Sequence, residues 1–168
     1  MQADIVLQSP EEKVFEAFDF EGKDMDDIQA ELEEFFGEDW EEYTYSLRNL
    51  QGFSEAWNAT PSRRYLDDIA AAVSLMTKHD LPAEIACDLV NDQGADYAVS
   101  WHEDNFLGTE TGNNMGDIAQ QWFEDCGDVP RHHLAQYIDW ERVERDLFLG
   151  GDWSYYEDRG ERYVYGAS

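Results

Sequence analysis

The chain contains four histidines and two cysteines, the residue types that most often bind metal ions or act as nucleophiles. They are His79, His102, His132, His133, Cys87 and Cys126. None has the ligand spacing of a zinc site, and two adjacent histidines on a helix point about 100° apart, so they do not readily share a metal. No glycine-rich phosphate loop, G-x-S-x-G or H-E-x-x-H motif occurs either. We therefore predict no catalytic residue, no metal and no cofactor, and a protein that is not an enzyme.

Carboxylates dominate the chemistry of this chain. Among 168 residues, 39 are Asp or Glu and only 11 are Lys or Arg, which gives a net charge of −28. This sign opposes binding to nucleic acid and to anionic membranes. The hydrophobic fraction of 42% argues against a disordered chain, so the acids must coat folded elements.

The acids are concentrated in two stretches. Between Glu16 and Glu42 the only base is Lys23, and between His79 and Pro130 there is no Lys or Arg at all. Five acids of the second stretch recur at every fourth residue, which on a helix would set neighbours about 5–6 Å apart. These five are Asp80, Glu84, Asp88, Asp92 and Asp96.

The amount of charge is comparable to that of a short piece of DNA. Duplex DNA carries one charge per roughly 1.7 Å, so the net charge corresponds to roughly 14 base pairs. We therefore expect the carboxylates to take the place of phosphates against a basic partner. The predicted contact acids are Asp24, Asp27, Glu31, Glu34, Glu38, Asp80, Glu84, Asp88, Asp92, Asp96, Glu103, Asp104, Glu110, Asp117, Glu124 and Asp125.

Salt adaptation is an alternative explanation for the composition. Halophilic proteins are also acidic, and this chain has only three lysines, Lys13, Lys23 and Lys78. Composition does not separate the two explanations. Unfolding in dilute buffer would favour salt adaptation, and stability in dilute buffer would count against it.

Residues 1–53 predict a small sheet with one helix. The predicted strands are Asp4–Gln8, Val14–Phe20 and Glu41–Leu47, with a turn at residues 9–12, and the predicted helix is Asp24–Phe36. Asp24 suits the N-cap of this helix, and Gly37 suits its C-terminal stop.

Residues 54–96 predict a helical domain. Thr60 followed by Pro61 suits the start of one helix, whose apolar face continues to Met76. A second helix is predicted to begin near Pro82 and to end at Gly94.

Residues 97–168 predict a mixed α/β domain. A strand is predicted over Tyr97–Trp101, followed by a loop over Phe106–Gly116. One helix is predicted to run from Met115 and to be closed by Gly127 and Pro130, and another to be capped by Asp139 and ended by Gly150-Gly151. A hairpin of Asp152–Tyr156 and Arg162–Tyr165 is predicted to follow. The predicted fold class is α+β, as an elongated chain of three small domains.

The sequence predicts a cytosolic protein. No apolar run approaches the roughly 20 residues that span a bilayer. The N-terminal residues lack the basic and apolar regions of a secretory signal, and two cysteines form no disulfide framework.

Several segments resemble the ArdA antirestriction proteins in order and spacing over about residues 40–168. They are Glu41–Tyr43 with Gly52-Phe53, Phe106–Gly108, Trp122–Asp125 with Gly127 and Val129-Pro130, and the closing run Tyr137–Trp140, Arg145–Leu147 and Leu149–Gly151. The family's usual opening turn, an aromatic-Asn-Gly sequence, is replaced here by residues 9–12, Ser-Pro-Glu-Glu.

The resemblance implies a curved homodimer of three-domain chains that imitates bent B-form DNA. Such a protein would occupy the DNA groove of type I restriction–modification enzymes, chiefly the methyltransferase core of specificity and modification subunits. Genes of the family travel on mobile elements, which implies a bacterial cytoplasm. The family motif is expected in the dimer region, at Tyr137, Asp139, Trp140, Arg145, Asp146 and Leu147.

Two other functions remain open from the sequence. The chain could be a DNA mimic that inhibits another defence complex, as anti-CRISPR proteins do. It could also be an acidic module that binds basic proteins, which would bind histone-like proteins promiscuously.

Overall fold

A computed structural model describes residues 1–8, 12–127 and 135–166. Within these residues the protein has seven α-helices and two three-stranded antiparallel sheets, so the predicted α+β class is confirmed. The chain divides into two compact units, residues 1–100 and 101–168. Most of the predicted turn at residues 9–12 lies outside the described residues, as do Pro130, His132 and His133.

The sheet of the first unit has the order β2-β1-β3. Its strands are β1 (Gln2–Gln8), β2 (Lys13–Asp19) and β3 (Thr44–Gln51). The central strand β1 is buried at Ile5, Val6 and Leu7. All three predicted strands are present, but β3 begins three residues later than predicted, because residues 40–42 form a 3₁₀ turn.

Helix α1 (Met25–Phe36) confirms the predicted helix and both of its ends. Asp24 Oδ1 accepts from the Asp27 amide at 2.9 Å, and Asp27 Oδ2 accepts from the Asp24 amide at 3.4 Å. This capping box satisfies amides that have no partner within the helix. At the other end, Gly37 has φ +103°, a conformation that L side chains rarely adopt.

Three further helices complete most of the first unit: α2 (Glu55–Ala59), α3 (Leu66–Lys78) and α4 (Ala83–Gln93). The prediction that a long helix starts at Thr60 is wrong. Residues 61–63 form a 3₁₀ turn instead, and α3 starts where Asp68 Oδ2 accepts from the Tyr65 amide at 3.0 Å. Helix α4 agrees with the prediction and ends at Gly94.

The predicted strand over Tyr97–Trp101 is wrong, because these residues lie within helix α5 (Ala95–Asn105). Ala98 and His102, four residues apart, are the buried positions, which is a helical rather than a strand spacing. His102 Nδ1 lies 3.0 Å from the hydroxyl of Tyr165.

The second unit contains a sheet of order β4-β6-β5. Its strands are β4 (Phe106–Thr111), β5 (Trp153–Asp158) and β6 (Glu161–Gly166). The predicted loop over Phe106–Gly116 is therefore wrong in its first six residues, which pair with β6. The β5–β6 hairpin confirms the prediction and turns at Arg159-Gly160, where both residues have positive φ.

Helices α6 (Asp117–Cys126) and α7 (Trp140–Gly150) pack on this sheet. Ala119, Trp153 and Val164 form the centre of the core. Asp139 Oδ1 accepts from the Arg142 amide at 3.1 Å, as its predicted capping role requires. Gly127 and Gly151 end the two helices in the left-handed conformation.

Candidate partner-binding surface

Fifteen of the sixteen predicted contact acids reach the surface. Glu31 and Glu84 are partly buried, and Glu110 is buried. The thirteen exposed acids are Asp24, Asp27, Glu34, Glu38, Asp80, Asp88, Asp92, Asp96, Glu103, Asp104, Asp117, Glu124 and Asp125. The acids therefore coat folded elements in both units.

The acids of α1 have two kinds of surroundings. Asp24 and Asp27 are exposed, but their carboxylates are also held by backbone amides at the helix start. Glu31 Oε2 lies 2.8 Å from Lys23 Nζ, which partly neutralises it. Glu34 and Glu38 lie toward the other end of the segment and are exposed. Asp24 and Asp27 thus combine a structural role with surface charge.

The predicted four-residue series is divided among three segments. Glu84, Asp88 and Asp92 lie one turn apart on one face of α4, whereas Asp80 precedes this helix and Asp96 begins α5. Desolvation raises the pKa of Asp88, and the carboxylates of Glu84 and Asp92 raise it further. The three side chains are thus close enough to repel one another. We call these three residues the α4 acidic row.

In the second unit, two exposed acids are oriented by glutamines one turn earlier in α6. Gln120 Nε2 donates to Glu124 at 2.8 Å, and Gln121 Nε2 donates to Asp125 at 2.9 Å. An amide donor fixes the position of a carboxylate while leaving its negative charge in place. Helix α6 therefore presents charge in a defined position.

Glu110 does not belong to this surface. It lies on β4 at 1% exposure, and its Oε2 accepts from the Gly116 amide at 3.4 Å. The carboxyl of Glu144 on α7, also 1% exposed, interacts with it. Burial, and after it Glu110, raise the pKa of Glu144 from 4.5 to about 8, while the Gly116 amide and Arg162 oppose the change. We leave Glu110 out of the acidic surface proposed below.

The family-motif residues divide between core and surface. Trp140 and Leu147 are partly buried and pack against the core of the second unit. Asp139 caps α7. Arg145, Asp146 and Tyr137 are exposed, and the exposed fraction of Tyr137 is 75%.

A groove that the sequence does not predict lies between α7 and the β5–β6 hairpin. This groove has a volume of about 740 Å³ and is lined by Arg142, Arg145, Arg162 and Glu144. The positions of Trp140, Val143 and Leu147 on one helix face place Glu144 within the apolar stripe of α7. That position is the sequence signal that could have identified Glu144 as buried.

In the part of the chain that the structure describes, no three or more His, Cys, Asp or Glu side chains are arranged to hold a metal ion. In the same residues, no helix has the length and apolar character that a membrane span requires.

The chain matches a known protein family. The sequence model of a family described as antirestriction protein (ArdA) matches residues 7–160, which is most of the chain. Neither the curated proteins nor the solved structures contain a match.

Proposed function

The chain belongs to the ArdA family of antirestriction proteins, and from this premise we propose that it inhibits a type I restriction–modification enzyme by imitating bent B-form DNA. The family consists of inhibitors rather than enzymes. The proposed target is the DNA groove of the methyltransferase core, formed by specificity and modification subunits.

The observation that best supports this mechanism is the acidic surface of the chain, to which α4 contributes the exposed Asp88 and Asp92 and the partly buried Glu84. The α4 acidic row places three carboxylates one turn apart, and mutual repulsion there contributes to the raised pKa of Asp88. The sequence between His79 and Pro130 contains no Lys or Arg. A closely spaced row of carboxylates is what a groove adapted to phosphates would bind.

Binding would arise from many weak contacts. An exposed pair between a carboxylate and a Lys or Arg of the target contributes about 0.2–1 kcal/mol. Their sum supplies the affinity, and the complementary charge of the two surfaces accelerates association. Because salt screens exposed charges, binding should weaken as the ionic strength rises.

We propose that the contact surface extends over the segments 1–53, 54–96 and 97–168, treated as three domains. The acids of α1 would act in the first segment and the α4 acidic row in the second. In the third segment, the exposed acids of α5 and α6 would act.

We propose a homodimer formed by the C-terminal segment. Tyr137 is 75% exposed, which leaves a large aromatic side chain in contact with water. Such exposure is common at surfaces that are covered by a partner. Pairing of two copies would double the length of the acidic surface available to the enzyme.

A competition assay tests the proposal directly. A fluorescent duplex bound to a purified type I methyltransferase should be displaced by this protein, and less protein should be needed at low salt than at high salt. Poly-glutamate of matched net charge is the control, because it carries the charge without the fixed array. If this protein and poly-glutamate displaced the duplex equally well, or if neither displaced it, the proposal of a structural mimic of DNA would be contradicted. Inhibition of a different defence complex alone would contradict the choice of target.

A further inference from the structure

The α7–hairpin groove carries basic groups in a chain that has few of them. Arg142 and Arg145 are exposed on α7, and Arg162 reaches the groove from β6. They are three of only eleven Lys and Arg residues in the whole chain. This concentration of positive charge has no role in a surface that imitates phosphates.

Two of these arginines are available to a ligand. Neither Arg142 nor Arg145 makes an ion pair with a carboxylate among the described residues. Arg162 is held in place instead, because its Nε lies 3.5 Å from Glu157 and its guanidinium lies 4.7 Å from the centre of the Tyr155 ring. Guanidinium groups bind carboxylate and phosphate oxygens through paired hydrogen bonds.

Glu144 supplies a second, independent observation. It lines the groove although it is buried, and its Oε1 has no hydrogen-bond partner in the described part of the chain. Glu110 faces it from β4 and Arg162 faces it from β6. Burial, and after it the carboxyl of Glu110, raise the pKa of Glu144 to about 8, so at neutral pH this carboxyl keeps its proton and adds no negative charge to the groove.

The remaining charge of the groove is consistent with an anionic ligand. Asp139 and Glu141 also line it, but the Asp139 carboxylate is occupied by the cap of α7. With Glu144 uncharged, the three arginines are balanced by the carboxylates of Asp139 and Glu141 and by Glu157, which pairs with Arg162. The groove therefore carries about as much positive as negative charge, in contrast to the strongly acidic chain as a whole.

The walls of the groove are apolar. Phe148, Leu149 and Tyr155 line it, and Leu149 and Tyr155 are exposed to solvent. The volume of about 740 Å³ lies within the range of about 300–1,000 Å³ that is usual for small-molecule sites. We propose that the α7–hairpin groove binds a small molecule in which a carboxylate or phosphate is joined to an aromatic or aliphatic group.

Binding of simple probes to the full-length protein tests this site. Phenyl phosphate and benzoate present the two candidate anions on an aromatic ring, and inorganic phosphate and benzyl alcohol present each half alone. Titration calorimetry, with amide chemical shifts to locate the site, should show the two complete probes binding more tightly than either half. The shifted amides should include those of Arg142, Arg145 and Tyr155. Absence of binding by both complete probes at millimolar concentration would overturn the proposal.

Substitution of the arginines provides the matched comparison. The R142A/R145A double variant should weaken probe binding at least about tenfold, because two charged donors are lost. The R142K/R145K variant keeps the positive charge but lacks the planar guanidinium groups, so its affinity for the probes should lie between those of wild type and R142A/R145A. The R159A variant is the control, because Arg159 lies at the hairpin turn and its side chain is 92% exposed. Equal affinity of R142A/R145A and wild type would overturn the proposal.

Two further measurements separate this site from other roles. Probe affinity should fall as the pH rises through about 8, where Glu144 loses its proton, and the E144Q variant should bind with little change over that range. If R142A/R145A instead abolishes self-association and leaves probe affinity unchanged, the groove is an interface between copies and the proposal is wrong. None of these readouts involves restriction, so their failure leaves the proposed function untouched.

Discussion

Glu110 on β4 and Glu144 on α7 place two carboxyl groups next to each other in the interior of the second unit, each at 1% exposure. Two adjacent negative charges in such a place would be costly. A proton on one of them removes a charge and gives the pair a donor. The interior of the second unit therefore contains a protonated carboxylic acid at neutral pH, whereas the carboxyl groups on the surface are ionised.

The stability of wild type should decrease as the pH rises from about 5 to about 9. The folded pKa of Glu144 is raised to about 8, above its ordinary value of 4.5, so in this window the folded chain holds a proton that the unfolded chain releases. A group whose pKa is higher in the folded chain than in the unfolded chain stabilises the fold fully below its unfolded pKa. This stabilisation is lost as the pH rises through its folded pKa. The slope should approach about 1.4 kcal/mol per pH unit, as urea unfolding can measure.

The E144Q variant should flatten this dependence, because its amide has no proton to lose. The matched control is E141Q, since Glu141 is on the same helix but exposed. If E141Q flattens the pH profile as much as E144Q does, the buried pair is not its cause.

Substitution of Gly116 by Ala should destabilise the second unit by about 2 kcal/mol or more. Gly116 has φ +89°, and a Cβ there would lie 2.6 Å from the Glu141 amide nitrogen and 2.8 Å from the Trp140 carbonyl carbon. The backbone of α7 would have to move away. G112A is the control, because Gly112 has no left-handed φ and a Cβ there meets no atom within 4 Å. Equal unfolding midpoints for the two variants would contradict this contact.

Much of the fold follows from local signals in the sequence. Asp24, Gly37, Asp139 and Gly151 mark helix ends correctly, because a cap is a contact within one turn of its own helix. The β5–β6 hairpin is likewise predictable from its turn.

Some of the wrong predictions concern contacts between distant segments. Phe106–Thr111 becomes a strand through pairing with β6, more than fifty residues away, which its own Gly- and Thr-rich sequence does not indicate. The segment Tyr97–Trp101 alternates like a strand, but its buried positions follow a helical spacing with His102. Glu110 was expected at the surface for the same reason, because its surroundings include Glu144, which is more than thirty residues away in the sequence.

Replacement of Asp88 by Asn should stabilise the first unit modestly at neutral pH. Desolvation and the carboxylates of Glu84 and Asp92 disfavour the charged form of Asp88 and raise its pKa. Removal of two like-charge pairs should add about 0.4–1 kcal/mol to the free energy of unfolding. D88E is the control because it keeps the charge, and thermal unfolding in low salt gives the readout. A gain that is just as large for D88E would rule out repulsion as its source.

Substitution of Tyr137 by Ala should weaken the proposed homodimer. Tyr137 is 75% exposed, and an aromatic side chain at the centre of an interface commonly contributes about 2 kcal/mol, or about thirtyfold in Kd. Analytical ultracentrifugation over a dilution series measures this change. Tyr65, which is 67% exposed and lies in the first unit outside the proposed dimer segment, supplies the control variant Y65A. A wild-type chain that sediments as a monomer at every concentration would contradict the homodimer itself.

Neutralisation of the α4 acidic row should weaken inhibition in proportion to the number of charges removed. The E84Q/D88N/D92N variant removes three contacts of about 0.2–1 kcal/mol each, so the concentration needed for inhibition should rise by a factor of about 3 to about 150. The D88N variant alone should raise the concentration needed for inhibition by less than about fivefold.

The charge-conserving D88E/D92E variant separates charge from side-chain shape and should inhibit almost as wild type does. Raising the salt concentration should narrow the difference between wild type and the triple variant, because screening weakens the contacts that only wild type makes. Loss of all inhibition in D88N alone would show that one carboxylate dominates. In that case the protein would act through a single specific contact and not as a distributed array of charge, and the imitation of DNA would fail as an explanation.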